Sequence, residues 1–358
     1  QVIDNRQTSA DWSADGNWIY TTVQERGSVK LMRIPSGGGD GQTVVGDAGQ
    51  VGAWSVASTG RMAYAFTSRS DMAQLYVDGK HATNLNQAVL RGKALGAVES
   101  LTFTSNDFKY EVEAFLTKPV GRSETSKHPL IVMIHGGPHG QQGPAFNFKA
   151  QVYAAQGWAT LMVNYRGSTG YGQKFSDAVF GDQNGNEGQD VLYAVSAATR
   201  RNPWIDRERM GVEGGSYGGQ LSAWLVTQTH IFKAAIPLAP IINLVSYNYM
   251  TYYNMYEQME FGIFPHQGDL MDTLWKRSSL RYVAQVKTPV MLLHGENDND
   301  VCIAESEQFY IGLKDAGVET VMVRYPREGH GLRETKHVVD SIDRSMAWYR
   351  KHFPKQKQ

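Results

Sequence analysis

Cysteine is all but missing from this sequence. Cys302 is the only one in 358 residues, which excludes an internal disulfide framework. An excess of charge of either sign is missing too. Lys plus Arg and Asp plus Glu both number 35, so the balance favours neither nucleic acid nor an anionic membrane surface as a partner. No apolar run reaches the ~20 residues of a membrane span. Gln1 opens neither a secretory leader pattern nor an initiator Met. The expectation is a cytoplasmic protein whose first residue is a processed or truncated end. The Gly-rich run 37–41 lacks the Lys-Ser/Thr that a phosphate-binding P-loop requires. What is present suits a soluble globular chain, with 41% apolar and 20% charged residues. Its length accommodates one large and one small domain.

The chain has two textures. Residues 1–97 read as all-β. A turn signal at Asp11-Trp12-Ser13-Ala14-Asp15-Gly16 precedes strands over 17–23 and 30–34, closed by the Gly-rich run. A weaker echo follows, with Ala53-Trp54-Ser55, a turn at Ser58-Thr59-Gly60, and strands over 61–67 and 74–77. The interval is about 42 residues, the length of one four-stranded β-propeller blade. The plainer alternative is a pair of unrelated hairpins.

From residue 98 to 358 the rhythm changes. Hairpin strands over 100–104 and 110–117 lead through a polar loop at 119–129 into a fully apolar strand at 130–134 and further buried strands at 159–164, 233–237, 289–293 and 321–325. Val191, Ala194, Val195 and Ala198 mark one helix face; Val339, Ile342, Met346, Tyr349 and Phe353 mark a C-terminal one. Strands buried on both faces and alternating with helices give an α/β fold with a doubly wound, mostly parallel sheet.

The chemistry is concentrated at Gly214-Gly215-Ser216-Tyr217-Gly218, a G-x-S-x-G pattern. A short buried strand, 209–212, precedes it, and Leu221, Trp224 and Leu225 follow at helical spacing. Ser216 therefore sits on a tight strand-to-helix turn. Small neighbours are needed there, and the helix start offers N–H groups to developing negative charge. A serine nucleophile needs a base, and the base an orienting acid. In α/β-hydrolases these follow in the order acid, then His, each just beyond a later strand. The strand 289–293 runs into Asp298, with Glu296 and Asp300 as rivals. The strand 321–325 runs into His330 in a small-residue loop. The triad is read as Ser216, Asp298 and His330. The backbone N–H of Tyr217 is one expected oxyanion donor, and the loop His135-Gly136-Gly137-Pro138-His139 supplies the second. A metal site at His135 and His139 is the weaker reading, because four-residue spacing binds zinc from a helix and Gly-Gly-Pro forbids one.

His135-Gly136-Gly137-Pro138-His139, the run from Asn164 to Gly172, Gly214 to Gly219, and His294-Gly295-Glu296-Asn297-Asp298 together resemble the prolyl oligopeptidase family of serine peptidases, nearest its acylaminoacyl-peptidase branch. The resemblance covers about 98–353. It implies an N-terminal β-propeller, a C-terminal α/β-hydrolase domain, activity on short peptides without cofactor or metal, and Gly137 as the second oxyanion donor. Two departures stand out. Fewer than 100 residues precede the hydrolase part, room for two blades where the family has seven or eight. The expected all-β segment is therefore an incomplete propeller, completed by the rest of a longer chain or by another chain such as a second copy. Relatives also place an Arg two residues after the acid, where this chain has Asp300. Asp300 either biases the site toward positively charged substrates or caps a helix beginning near Val301.

The aromatic stretch 247–256, including Tyr249 and Tyr253, either walls a substrate pocket or packs excursion helices on the sheet. Arg166 is either a substrate contact or a brace for its loop, with Asp182 or Asp190. Cys302 is read as a half-buried helix residue. The function expected is peptide cleavage through a Ser216 acyl-enzyme. A carboxylesterase using the same triad is the alternative, and a catalytically silent propeller-type binding protein is the reading from another class.

Overall fold

Two sheets with no strand in common organise the chain. The computed structural model describes residues 3–46, 48–123 and 125–354. The outer ends of the two expected units, residues 1–2 and 355–358, lie outside the described residues, as does Glu124 of the expected loop at 119–129.

The first sheet is built from β1 (Gln7–Trp12), β2 (Trp18–Glu25), β3 (Ser28–Pro35), β4 (Gln42–Val45), β5 (Gln50–Val56), β6 (Met62–Thr67), β7 (Gln74–Val77) and β8 (Lys80–His81). Strands β1 to β4 pair antiparallel in sequence order, and so do β5 to β8. A single parallel pairing, Val29 with Gln50, joins the two groups. The segment is thus two four-stranded blade-like units in succession. Tyr20, Leu31, Val51 and Tyr64 form their small shared core.

The second sheet runs β16-β15-β14-β13-β11-β12-β10-β9. Its strands are β9 (Val98–Thr104), β10 (Glu111–Thr117), β11 (His128–Ile134), β12 (Ala159–Asn164), β13 (Ile205–Gly215), β14 (Ala234–Leu238), β15 (Val290–Gly295) and β16 (Thr320–Tyr325). β9 and β10 are antiparallel; from β12 to β16 every neighbour is parallel. Apolar side chains therefore fill both faces. Helices Asn186–Arg201 and Tyr217–Gln228 cover one face around Val132, Leu161 and Val212. Helices Phe148–Ala155 and Thr335–His352 cover the other around Ile131, Met162 and Tyr349. β13 is longer than the segment 209–212 because its ladder to β11 starts at Ile205. The register shift before Met210 bulges the polar residues between them outward.

Beneath the turn at Ser216, the carboxylate of Glu213 is buried in β13. It is satisfied by Tyr153 Oη at 2.8 Å, Tyr349 Oη at 3.2 Å and Lys149 Nζ at 2.8 Å. A buried charge is tolerable only when paired in this way. The β2–β3 turn at Arg26-Gly27 seats on the second sheet's loops: Arg26 N donates to Gly170 O at 3.0 Å and Gly27 N to Gln141 Oε1 at 3.1 Å. Arg26 also pairs with Glu111 at 3.1 Å. No helix among the described residues is long and apolar enough to cross a membrane.

Candidate active site

The parallel strands bring four loops to one edge of the sheet, those after β11, β13, β15 and β16. This carboxyl edge is where α/β sheets carry their sites. Ser216 stands between β13 and helix Tyr217–Gln228 at φ +58° and ψ −124°. A non-glycine residue there is strained, at a cost of order 1–3 kcal/mol that the surrounding structure must offset. The flanking glycines are required by close approach. A Cβ at Gly214 would lie 2.4 Å from Gly218 O and 2.6 Å from Ile134 O. One at Gly218 would lie 2.1 Å from Ile134 O. The elbow is thus pressed against the end of β11, whose loop begins with His135. That loop passes close to Ser216: a Cβ at Gly136 would come within 3.1 Å of Ser216 Cβ and 3.8 Å of Ser216 Oγ. Gly137 follows at φ +134°.

Asp298 and His330 meet. Asp298 Oδ2 accepts from His330 Nδ1 at 2.8 Å, and Asp298 is 4% exposed. Its Oδ1 accepts from the backbone N–H of Asp300 and of Val301, both at 2.9 Å. His294 Nε2 approaches Oδ2 at 3.3 Å, and the His294 ring is fixed by Ser306 Oγ at 2.7 Å and Val301 O at 2.8 Å. Burial alone would raise the Asp298 carboxyl. The hydrogen bonds from His294 and His330 outweigh it and hold the group well below the usual carboxylate range. Burial likewise opposes charge on His330, but the Asp298 hydrogen bond, with the Asp298 and Asp300 charges, leaves it raised above an ordinary histidine. The His330 loop is held by Glu328, whose carboxylate accepts from Arg333 N and Glu334 N at 2.9 Å and from His337 Nδ1 at 2.8 Å.

The rivals separate. Glu296 is on the surface, paired with Arg324 at 3.0 Å. Asp300 Oδ2 lies 3.8 Å from His330 Nε2. The capping expectation for Asp300 is overturned: the next helix is Ala304–Asp315, and Asp298 Oδ1 takes the N–H groups that a cap would. Cys302, half-buried as expected, lies in the intervening turn instead of in a helix.

Arg166 is not placed as a substrate contact. It is 3% exposed and its donors are consumed: Nε and Nη2 go to Asp190, both at 2.8 Å, and Nη1 and Nη2 to Asp107 at 2.8 and 3.0 Å. Asp182 pairs instead with Arg277. Arg166→Ala is therefore expected to act on stability. Removing one partner of a buried ion pair leaves uncompensated charge and costs about 3–5 kcal/mol. Denaturant titration should show that loss; a raised KM at unchanged stability would restore the substrate-contact reading.

The aromatic stretch divides. Buried Tyr247 and half-buried Tyr256 meet edge to face, with ring centroids 5.6 Å apart, and serve packing. Tyr249 is exposed on helix Leu244–Met250, while the Tyr253 and Tyr252 rings meet at a tilt, centroids 4.3 Å apart, beside the Asp298 loop. Tyr252 N donates to Asn299 O at 3.1 Å.

The side-chain partners of Tyr217, His139 and His135 had no sequence signal. Tyr217 Oη donates to buried Glu187 at 2.8 Å; burial, countered by that bond, pushes Glu187 up to about 7. His139 Nδ1 faces Gly167 O at 2.9 Å, and its Nε2 lies 3.3 Å from Glu260, which ties the loop after β11 to helix Tyr256–Phe261. His135 stacks on Tyr165 at 4.4 Å, and burial lowers it to about 4, so it stands neutral.

Fold and edge together define an α/β-hydrolase preceded by propeller-like blades. A sequence profile of the prolyl oligopeptidase family matches residues 144–356. The uncharacterized peptidase YuxL of Bacillus subtilis is 38% identical over 280 residues, covering 76% of this chain and 42% of its own length. The acylamino-acid-releasing enzyme of Mus musculus is 32% identical over 262 residues, 71% of this chain and 35% of its own. The solved acylaminoacyl peptidase of Pyrococcus horikoshii superposes with a TM-score of 0.90 at 27% identity, over 99% of this chain and 57% of that one. The chain belongs to the prolyl oligopeptidase family of serine peptidases. It spans less than half the length of the two curated relatives.

Proposed function

We propose that this chain cleaves short peptides by acyl transfer through an acyl-enzyme on Ser216. The observation that carries the reading is the 2.8 Å bond between Asp298 and His330, on the sheet edge that also holds the strained Ser216 turn. His330 Nε2 accepts the Ser216 proton as Oγ attacks the scissile carbonyl. Asp298 holds Nδ1–H, which keeps Nε2 free to accept. The N–H groups of Tyr217 and Gly137 receive the oxyanion. His330 then protonates the leaving amine, and a water activated by the same imidazole releases the acyl group. Residues 1–97 form the blade unit and 98–358 the catalytic unit. The lack of a shared strand supports that division. The Mus musculus relative is an acylamino-acid-releasing enzyme and the Pyrococcus horikoshii structure an acylaminoacyl peptidase, and the shared family supports peptide chemistry for this chain.

The reading makes an expected result. A fluorophosphonate should label Ser216 stoichiometrically, and aminoacyl anilides should turn over. kcat/KM should fall on the acid side as His330 gains its proton. The inflection should sit above the ordinary histidine value, because the Asp298 bond and the Asp298 and Asp300 charges outweigh burial. Failure to label Ser216 refutes the reading. Labelling with turnover of nitrophenyl esters but not of anilides reassigns the chain to the carboxylesterases.

A further inference from the structure

We infer that Asp300, with the Tyr252–Tyr253 ring pair, selects substrates whose scissile carbonyl belongs to an amino-terminal residue carrying a free ammonium. The inference rests on the proposed Ser216 reaction. The Asp300 carboxylate is free of the duty that would have occupied it, since Asp298 and not Asp300 receives the turn's N–H groups. Among the described residues no Lys or Arg pairs with it. The group that faces it is His330, with Nε2 3.8 Å from Oδ2. Asp298 takes the other ring nitrogen, so Asp300 lies on the side from which His330 meets the reacting atoms.

Distance then fixes which substrate amine fits. Standard backbone geometry puts an α-nitrogen about 2.5 Å from the carbonyl carbon of its own residue. An ammonium on the residue being acylated onto Ser216 therefore lies within reach of a carboxylate this close to Nε2. An acylated nitrogen carries no charge there and keeps only one N–H, so the attraction between opposite charges is lost.

The second observation is the ring pair. Tyr252 and Tyr253 are 62% and 49% exposed, although they adjoin the Asp298–Asp300 loop through the Tyr252 N–H bond to Asn299 O. Large exposed rings beside a carboxylate that no Lys or Arg neutralises form the surroundings in which cationic amines are held. The Tyr252 phenol is neutral, as an ordinary phenol is, and Tyr253, burial and the Asp300 and Asp298 charges push it further up, to about 12.

The test compares leucyl 4-nitroanilide with its N-acetylated form at one pH below the ~7.7 of an α-amine, where the free amine stays charged and the His330 titration is common to both substrates. The wild-type protein is expected to favour the free amine. D300N should lower the free-to-acetylated ratio of kcat/KM several-fold, the size expected of a partly exposed charge pair. D300K should bring it below one. If neither anilide turns over while the fluorophosphonate still labels Ser216, the same ratio is read from protection of that labelling by leucinamide and N-acetyl-leucinamide. A ratio that does not move between wild type, D300N and D300K overturns the role of Asp300 and leaves the Ser216 reaction standing. Loss of Ser216 labelling in the wild-type protein overturns both.

Discussion

Ser216→Ala is expected to abolish covalent acylation and reduce kcat by on the order of 10⁶, with the fold unchanged. Members of a coupled triad act as one unit, so losing the nucleophile costs nearly as much as losing all three. The fold should survive for a local reason. The backbone at Ser216 is held by its N–H to Leu238 O at 2.9 Å and by Gln220 N donating to its carbonyl at 2.9 Å, and neither bond involves the side chain. Alanine keeps the Cβ, and with it the strain at φ +58°. Burst kinetics with an activated ester, beside a thermal melt, check both halves. A surviving burst would make another residue the nucleophile.

The next largest effect belongs to Asp298→Asn, for which a loss of about 10⁴ in kcat is expected. The amide can still accept from Asp300 N and Val301 N through its oxygen, so the turn is preserved. Its NH₂ then faces His330 Nδ1, which must accept. The proton moves to Nε2, the nitrogen that has to take the Ser216 proton, and the base is disabled by tautomer alone. Glu296→Gln, on a surface pair with Arg324, should change stability by no more than about 1 kcal/mol and kcat little. A 10⁴ loss at Asp300→Asn with none at Asp298→Asn would sink the assignment. Comparing the three amide variants on one substrate decides it.

The parts of this architecture that were legible in the sequence are those written in local spacing. Mostly apolar runs at 130–134, 159–164 and 289–293 became β11, β12 and β15, because strands buried on both faces admit few polar residues. The G-x-S-x-G turn was legible because three backbones converge there and only glycine fits beside Ile134 O. The pairing of Asp298 with His330 followed from two loops at one edge. The illegible parts are long-range polar pairs, which have no periodicity. Arg166 meets Asp107 from 59 residues upstream, and nothing in either neighbourhood announces it. Glu328, two residues before His330, has no pattern of its own, yet folds back on Arg333 N, Glu334 N and His337. The cap misassignment has a similar origin. Asp298 and Asp300 are both suitable acceptors near a helix start, and only three-dimensional geometry shows that one carboxylate serves the imidazole and the turn at once. Strands β1 and β4 were missed because short, exposed, polar strands carry little pattern.

The seat of the β2–β3 turn has a consequence for protein engineering. A Cβ at Gly143 would lie 1.7 Å from Gly27 O, and one at Gly27 would lie 2.7 Å from both Gln142 O and the Phe115 ring. These two glycines sit in loops of different sheets, more than a hundred residues apart, yet each is admissible only while the other side stays bare. They work as a compatibility key between modules. A chimera spliced in the linker between β8 and β9 takes one half of the key from each parent. Grafts from relatives that lack either glycine should express as clashing halves, and moving residues 141–143 together with the blades should restore the fit.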